Sequence, residues 1–278
     1  MLDRLIFYFT AYPTVRYAAV ALVFISVCAA LLGVTLVLRR FSMIGDGLSH
    51  VTFGAASVAT VMGLTTPIYI SLPVTVIAAV LLLRLPRSSR IGGDAAVACV
   101  SAGSLAFGYL ILSLFPTPEG YVGDACANLF GQGILSISLF DVVICIALCA
   151  VLLISFALFY NRIFAVTFDS DFAFATGTRV SVYNTFIAVI TGIVTVVAME
   201  LVGALLVAAL IIFPALSAMR LFKSFRSVAI AGAVMSVICT VWGLLASLLL
   251  STPVGSTIVC ADIVMFLMCY VIGRVKER

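Results

Sequence analysis

The chain has 278 residues, 64% of them hydrophobic and 9% charged, with 15 Lys and Arg against 11 Asp and Glu for a net charge of +4. A soluble domain carries about 25% charged residues, so there are too few charges here to cover a water-facing surface, and much of that surface must face lipid. The length holds about nine spans of roughly 20 residues and leaves no room for a soluble domain beside them. Function therefore resides in the membrane region or in partner chains, and nothing in the charge pattern points to nucleic acid.

Apolar runs set against breakers predict nine helical segments, at about 17–38, 44–63, 68–86, 94–115, 140–160, 182–199, 201–221, 227–251 and 256–273. The first run exceeds the 7–15 residues of a signal h-region and ends in Arg39-Arg40, so it reads as a retained helix. Only Glu200 and Gly203 separate the sixth segment from the seventh, which could instead be one span with a re-entrant turn. Two connections are longer than a turn. The stretch 116–141 is apolar enough to lie on or dip into the membrane. The stretch 161–181 contains Phe168, Asp169, Asp171, Phe172 and Gly177. There Asp169 or Ser170 can cap a short helix and Gly177 can end it. Phe168 and Phe172 then share a face with Ala173 or Ala175, either docking a soluble partner or lying in the interface.

Cation placement gives orientation. With the N-terminus outside and an odd span count, Arg39, Arg40, Arg84, Arg87, Arg90, Arg162, Arg179, Arg220, Lys223, Arg226, Arg274, Lys276 and Arg278 share one side, leaving Arg4 and Arg16 on the other. The thirteen-residue side is expected to be cytoplasmic, with the C-terminus there. The eight cysteines form no C-x-x-C pair; seven lie in apolar runs and read as small hydrophobes in packed helices.

Charge at membrane depth costs roughly 2.5–3.5 kcal/mol or more, so each such residue needs a reason. Asp46 and His50, the only histidine, are four apart and stack on one helix face. A carboxylate oxygen and an imidazole nitrogen so placed could ligate one divalent cation. In the alternative, Asp46 caps the helix or pairs with Arg39 or Arg40, and His50 donates to a backbone carbonyl. Gly45, Gly47 and Gly54 allow close helix approach. Glu200 is a third ligand, a gate residue or a solvated acid. Asp262, deeper in the last span, suits a helix–helix hydrogen bond. Asp94 and Asp141 open helices, where the dipole favours carboxylates. The sequence lacks G-x-x-x-x-G-K-[ST], H-E-x-x-H and G-x-S-x-G, so any ATP-driven step belongs to another chain.

Five stretches occur in the order found in permease subunits of the metal-ion class of bacterial ABC importers, which carry zinc, manganese or iron(II). Residues 39–50, RRFSMIGDGLSH, resemble that family's R-R-x-S-L-x-G-D-A-L-S-H. Residues 128–138 are similar to its N-L-L-F-G-x-I-L-x-I-S, and residues 168–177 to its F-D-P-E-F-A-x-x-x-G. Residues 202–218 and 252–259 are similar to its V-G-x-L-L-V-x-A-L-L-I-x-P-A-x-x-A and P-x-G-x-x-I-V. The resemblance implies an all-α fold like a reduced vitamin B12-importer permease. It implies a homodimer in the bacterial cytoplasmic membrane, on two ATPase subunits, fed by an extracytoplasmic metal-binding protein. It implies no permanently bound cofactor, the metal being cargo. On the same grounds Asp46 and His50 become metal ligands on the path, and Phe168, Asp169, Asp171, Phe172 and Gly177 become the ATPase-coupling segment; Glu200 and Asp262 stay weaker metal candidates on their position alone. An ion-coupled secondary transporter is the alternative; it calls for inverted repeats, and no convincing repeat is visible. This sequence departs from the family where Val51-Thr-Phe-Gly follows His50 without the usual proline, and where Ser170 replaces one.

Overall fold

The computed structural model describes residues 10–64, 66–84, 93–115 and 137–276. Among them are ten helices and no strand: α1 Pro13–Leu38, α2 Ile44–Val61, α3 Ile68–Leu83, α4 Gly93–Leu114, α5 Leu139–Phe168, α6 Ser170–Ala175, α7 Val180–Val202, α8 Ala204–Leu221, α9 Phe225–Leu250 and α10 Val254–Lys276. The protein is thus a polytopic α-helical membrane protein. Each of the nine apolar segments is a helix. Seven of these are long and apolar enough to cross a bilayer on their own. The other two differ for separate reasons. α3 is apolar but has only 16 residues. α2 has 18 residues, but Asp46, Ser49, His50 and Thr52 fall within it, and a helix so polar is tolerated only where protein surrounds it.

The packing supplies that surround. α2 lies against α3, α4, α7 and α8, while α1 packs on α5, α8 and α9. α1 is the central post, with 72% of its apolar window buried against 17% for α4 and 22% for α10. Small residues set the closest crossings. Gly33 of α1 abuts the Ile211 carbonyl of α8. A Cβ at Gly54 of α2 would lie 2.8 Å from the Ser104 carbonyl oxygen of α4, and one at Gly45 would lie 2.7 Å from Ile211 Cδ1.

Polar contacts gather the basic connections at one end of the bundle. Arg39 Nη2 donates to Asn184 Oδ1 at 2.6 Å, Arg84 Nη2 to Thr185 Oγ1 at 2.8 Å, and Arg162 Nη1 to the Tyr183 hydroxyl at 2.7 Å. All three acceptors sit in the first turns of α7, so the α1–α2 connection and the ends of α3 and α5 meet there. We refer to it as the basic end.

One boundary is extended beyond expectation and the weakest expected one is made definite. α5 kinks at Phe159, whose φ −106°, ψ 15° is not helical, and then resumes through Asn161 and Arg162 to Phe168, where Asp169 ends it. The connection to α7 is correspondingly shorter and holds one helix, α6. The break between α7 and α8 is real: Gly203 adopts φ 87°, ψ 157°, a conformation essentially restricted to glycine. Of the expected outer stretch 116–141, residues 116–136 lie outside the described residues. Its last part forms a capping box, in which Ser138 N donates to Asp141 Oδ2 at 2.9 Å and Asp141 N to Ser138 Oγ at 3.3 Å. Asp141 is accounted for by that cap.

Candidate functional site

The first two turns of α2 carry the candidate site. His50 Nε2 lies 3.5 Å from Asp46 Oδ1, and their side chains are 17% and 36% exposed respectively. That separation is long for a good N–H···O bond. It is close to the span between two ligand atoms of one tetrahedral cation: bonds of about 2.1 Å at a tetrahedral angle place them about 3.4 Å apart. The other ring nitrogen, Nδ1, is buried without a hydrogen-bond partner. An unpaired buried polar group costs about 1–3 kcal/mol, and no contact among the described residues offsets it.

Of the alternative reading, Asp46 does stand in the first turn of α2, while the arginine and carbonyl contacts it calls for are absent among the described residues. Arg39 donates to Asn184, and no ion pair links Asp46 to an arginine among the described residues. His50 donates to no backbone carbonyl through Nδ1. Asp94, at the start of α4, fixes the connection that leads into α2. It accepts from Ser42 Oγ at 3.2 Å and from Met43 N at 3.4 Å. Val97 and Ser104 of α4 then press on Gly47 and Gly54, so α2 is located at both its charged and its apolar ends.

Above the charged pair, the hydroxyls of α2 are satisfied within the helix. Ser49 bonds the Gly45 carbonyl at 2.7 Å and Ser57 the Phe53 carbonyl at 2.9 Å. Thr52 Oγ1 also meets Thr75 Oγ1 of α3 at 3.0 Å, fully buried. This inter-helix pair, like Arg39–Asn184 and Asp94–Ser42, was missed in the sequence, where its members are 23 to 145 positions apart.

The weaker candidates are elsewhere. Glu200 is exposed and lies 16 residues beyond Asn184 on α7, about 24 Å further along that helix and away from the basic end. Asp262 is 2% exposed on α10, beside Cys239 of α9, with its Oδ2 lacking a partner. The α9–α10 hydrogen bond here runs from Cys239 Sγ to the Ala261 carbonyl at 3.8 Å. Among the described residues no three His, Cys, Asp or Glu side chains converge, so neither acid joins Asp46 and His50 within this chain. The seven described cysteines are free thiols.

The short helix α6 stands at the basic end. Asp169 Oδ1 accepts from Asp171 N at 3.1 Å and Phe172 N at 2.9 Å. At the other end Gly177, at φ 81°, closes a Schellman turn in which Thr178 N reaches the Ala173 carbonyl and Gly177 N the Phe174 carbonyl, each at 3.0 Å. Ala173 is fully buried against Val166 and Tyr183. Asp171, Phe172, Phe174 and Ala175 face outward, with Phe172 63% and Phe174 74% exposed. Phe168 is half-exposed and packs on Phe164 and Phe225, which ties the start of this segment to α9.

The model of the ABC 3 transport family matches residues 11–273. The manganese import system permease protein ScaB of Streptococcus gordonii is 26% identical over 261 residues, covering 94% of this chain and 91% of the relative. The high-affinity zinc uptake system membrane protein ZnuB of Buchnera aphidicola is 24% identical over 267 residues, covering 96% and 99%. The fold resembles that in the structure of PsaBC from Streptococcus pneumoniae in complex with Fab, with a TM-score of 0.82, 23% identity and coverage of 97% and 95%.

Proposed function

Because the chain belongs to the ABC 3 transport family, a family of membrane-embedded transport subunits, we propose that it is the permease of an ATP-driven importer for a divalent transition metal. Zinc and manganese are the foremost cargoes and iron(II) a further one. The observation that carries this reading is the Asp46–His50 pair. It has ligand spacing, one orphaned imidazole nitrogen, and a helix too polar to stand in lipid alone. The named relatives transport manganese and zinc, and a carboxylate with one imidazole suits both metals.

Two ligands from one chain leave coordination positions open, as a site that must release its ion requires. In the proposed assembly a second copy of the chain completes the path. Two cytoplasmic ABC ATPases dock on the exposed segment formed by Phe168, Asp169, Asp171, Phe172 and Gly177. An extracytoplasmic metal-binding protein delivers the ion to the opposite side. In this reading the assembly sits in the bacterial cytoplasmic membrane with the N-terminus outside and the C-terminus inside, an orientation supported by the cations gathered at the basic end. The ion-coupled alternative has no specific observation in its favour.

Proteoliposomes separate the two. With its ATPase and binding-protein partners, the chain is expected to accumulate manganese or zinc only when ATP is inside. Ion-gradient-driven uptake by the chain alone overturns the proposal.

A further inference from the structure

A groove of about 450 Å³ opens on the flank of the bundle between α5 and α9, with Leu31 of α1 as its floor. Its deep part is apolar, walled by Phe156 and Ile230, and its mouth carries Tyr160, Asn161 and Arg226. The mouth lies at a defined depth. Asn161 lies just past the kink at Phe159, which is 20 residues or about 30 Å along α5 from Leu139, and the hydrocarbon layer is about 30 Å thick. Arg226 is the second residue of α9 at the basic end. The mouth is therefore at headgroup level and the deep part at acyl-chain level.

The cation at the mouth is free to act. Arg226 is exposed, and among the described residues no carboxylate pairs with it. Lys223, also exposed, precedes it by three positions, and α5 brings the neutral polar groups of Tyr160 and Asn161 to the same groove. A slot with apolar walls and a cationic, donor-bearing rim complements an anionic headgroup on an acyl chain.

We propose that this groove is a binding site for an anionic phospholipid, with Arg226 and Asn161 on the phosphate and one acyl chain along Phe156, Leu31 and Ile230. The site is coupled to the short helix α6 by packing. Phe225, next to Arg226, contacts Tyr160, Phe164 and Phe168, so a lipid seated here braces the α5 extension that leads into α6. The proposal depends on membrane insertion and does not depend on what is transported.

The test uses the full chain purified in detergent, titrated with phosphatidylglycerol or with phosphatidylcholine of matched acyl chains, and resolved by native mass spectrometry. One phosphatidylglycerol per chain is expected to bind about fivefold tighter than phosphatidylcholine, the factor that one interfacial cation supplies. Arg226→Gln is expected to erase that preference and Arg226→Lys to keep most of it. Ile230→Trp, which fills the slot, is expected to block both lipids, while Lys276→Gln changes nothing. Equal binding of the two lipids, or a preference that survives Arg226→Gln, overturns the site. So does displacement by inorganic phosphate, which would mark a simple anion site, or a loss of self-association in Ile230→Trp with lipid binding intact, which would mark a surface covered by a second copy.

Discussion

Gly54→Ala provides a sharp test of how α2 is held. A Cβ at this position would lie 2.8 Å from the Ser104 carbonyl oxygen and 3.4 Å from its carbon. Both are backbone atoms of α4, so no side chain can swing aside. To reach an ordinary contact near 3.4 Å, α2 and α4 must separate by about 0.6 Å. Overpacking of this kind costs about 1–3 kcal/mol, against which a glycine-to-alanine change in a helix returns at most about 1 kcal/mol. Gly103→Ala on α4 is the matched control, since a Cβ there meets nothing within 4 Å. Thermal unfolding of the two detergent-solubilised variants should move in opposite senses, with Gly54→Ala below wild type and Gly103→Ala at or above it. If Gly54→Ala melts as high as Gly103→Ala, the close α2–α4 crossing does not exist as described.

Other consequences are equally direct. Asp169→Ala removes both cap bonds of α6 and should cost about 1 kcal/mol. Faster amide exchange at Asp171 and Phe172, and weaker stimulation of a partner ATPase, are the readouts, with Asp169→Asn near wild type. Gly203→Ala forces a side chain into φ 87°, ψ 157°, at about 1–3 kcal/mol. It should lower the melting temperature and the yield of folded protein, and unchanged melting would show that the α7–α8 break can relax. Asn184→Ala takes the acceptor from Arg39 Nη2 and should cost about 1.5–3 kcal/mol, again read by thermal unfolding.

The helices could be read from the sequence because lipid imposes one rule on every span, and the weakest boundary, at Gly203, was marked by the residue type its conformation demands. The length of α5 was harder. Asn161 and Arg162 look like the start of a loop, and the backbone does kink just before them at Phe159, but it resumes as helix until Asp169 offers the backbone an alternative. Asp46 and His50 were visible because spacing along one helix is local information. The contacts that orient them were not. Asp94 to Ser42, Arg39 to Asn184 and Thr52 to Thr75 join different helices, and only the fold brings them together. Asp262 was singled out correctly as buried, yet its unpartnered oxygen could be seen only once Cys239 and its neighbours were in place.

The central claim is that Asp46 and His50 hold the cargo. The direct measurement is radiolabelled manganese or zinc uptake by the assembled importer carrying His50→Ala or Asp46→Asn, with membrane insertion and complex assembly checked in parallel. The account predicts that both variants insert and assemble normally while uptake falls to background. Uptake at the wild-type level in His50→Ala contradicts it.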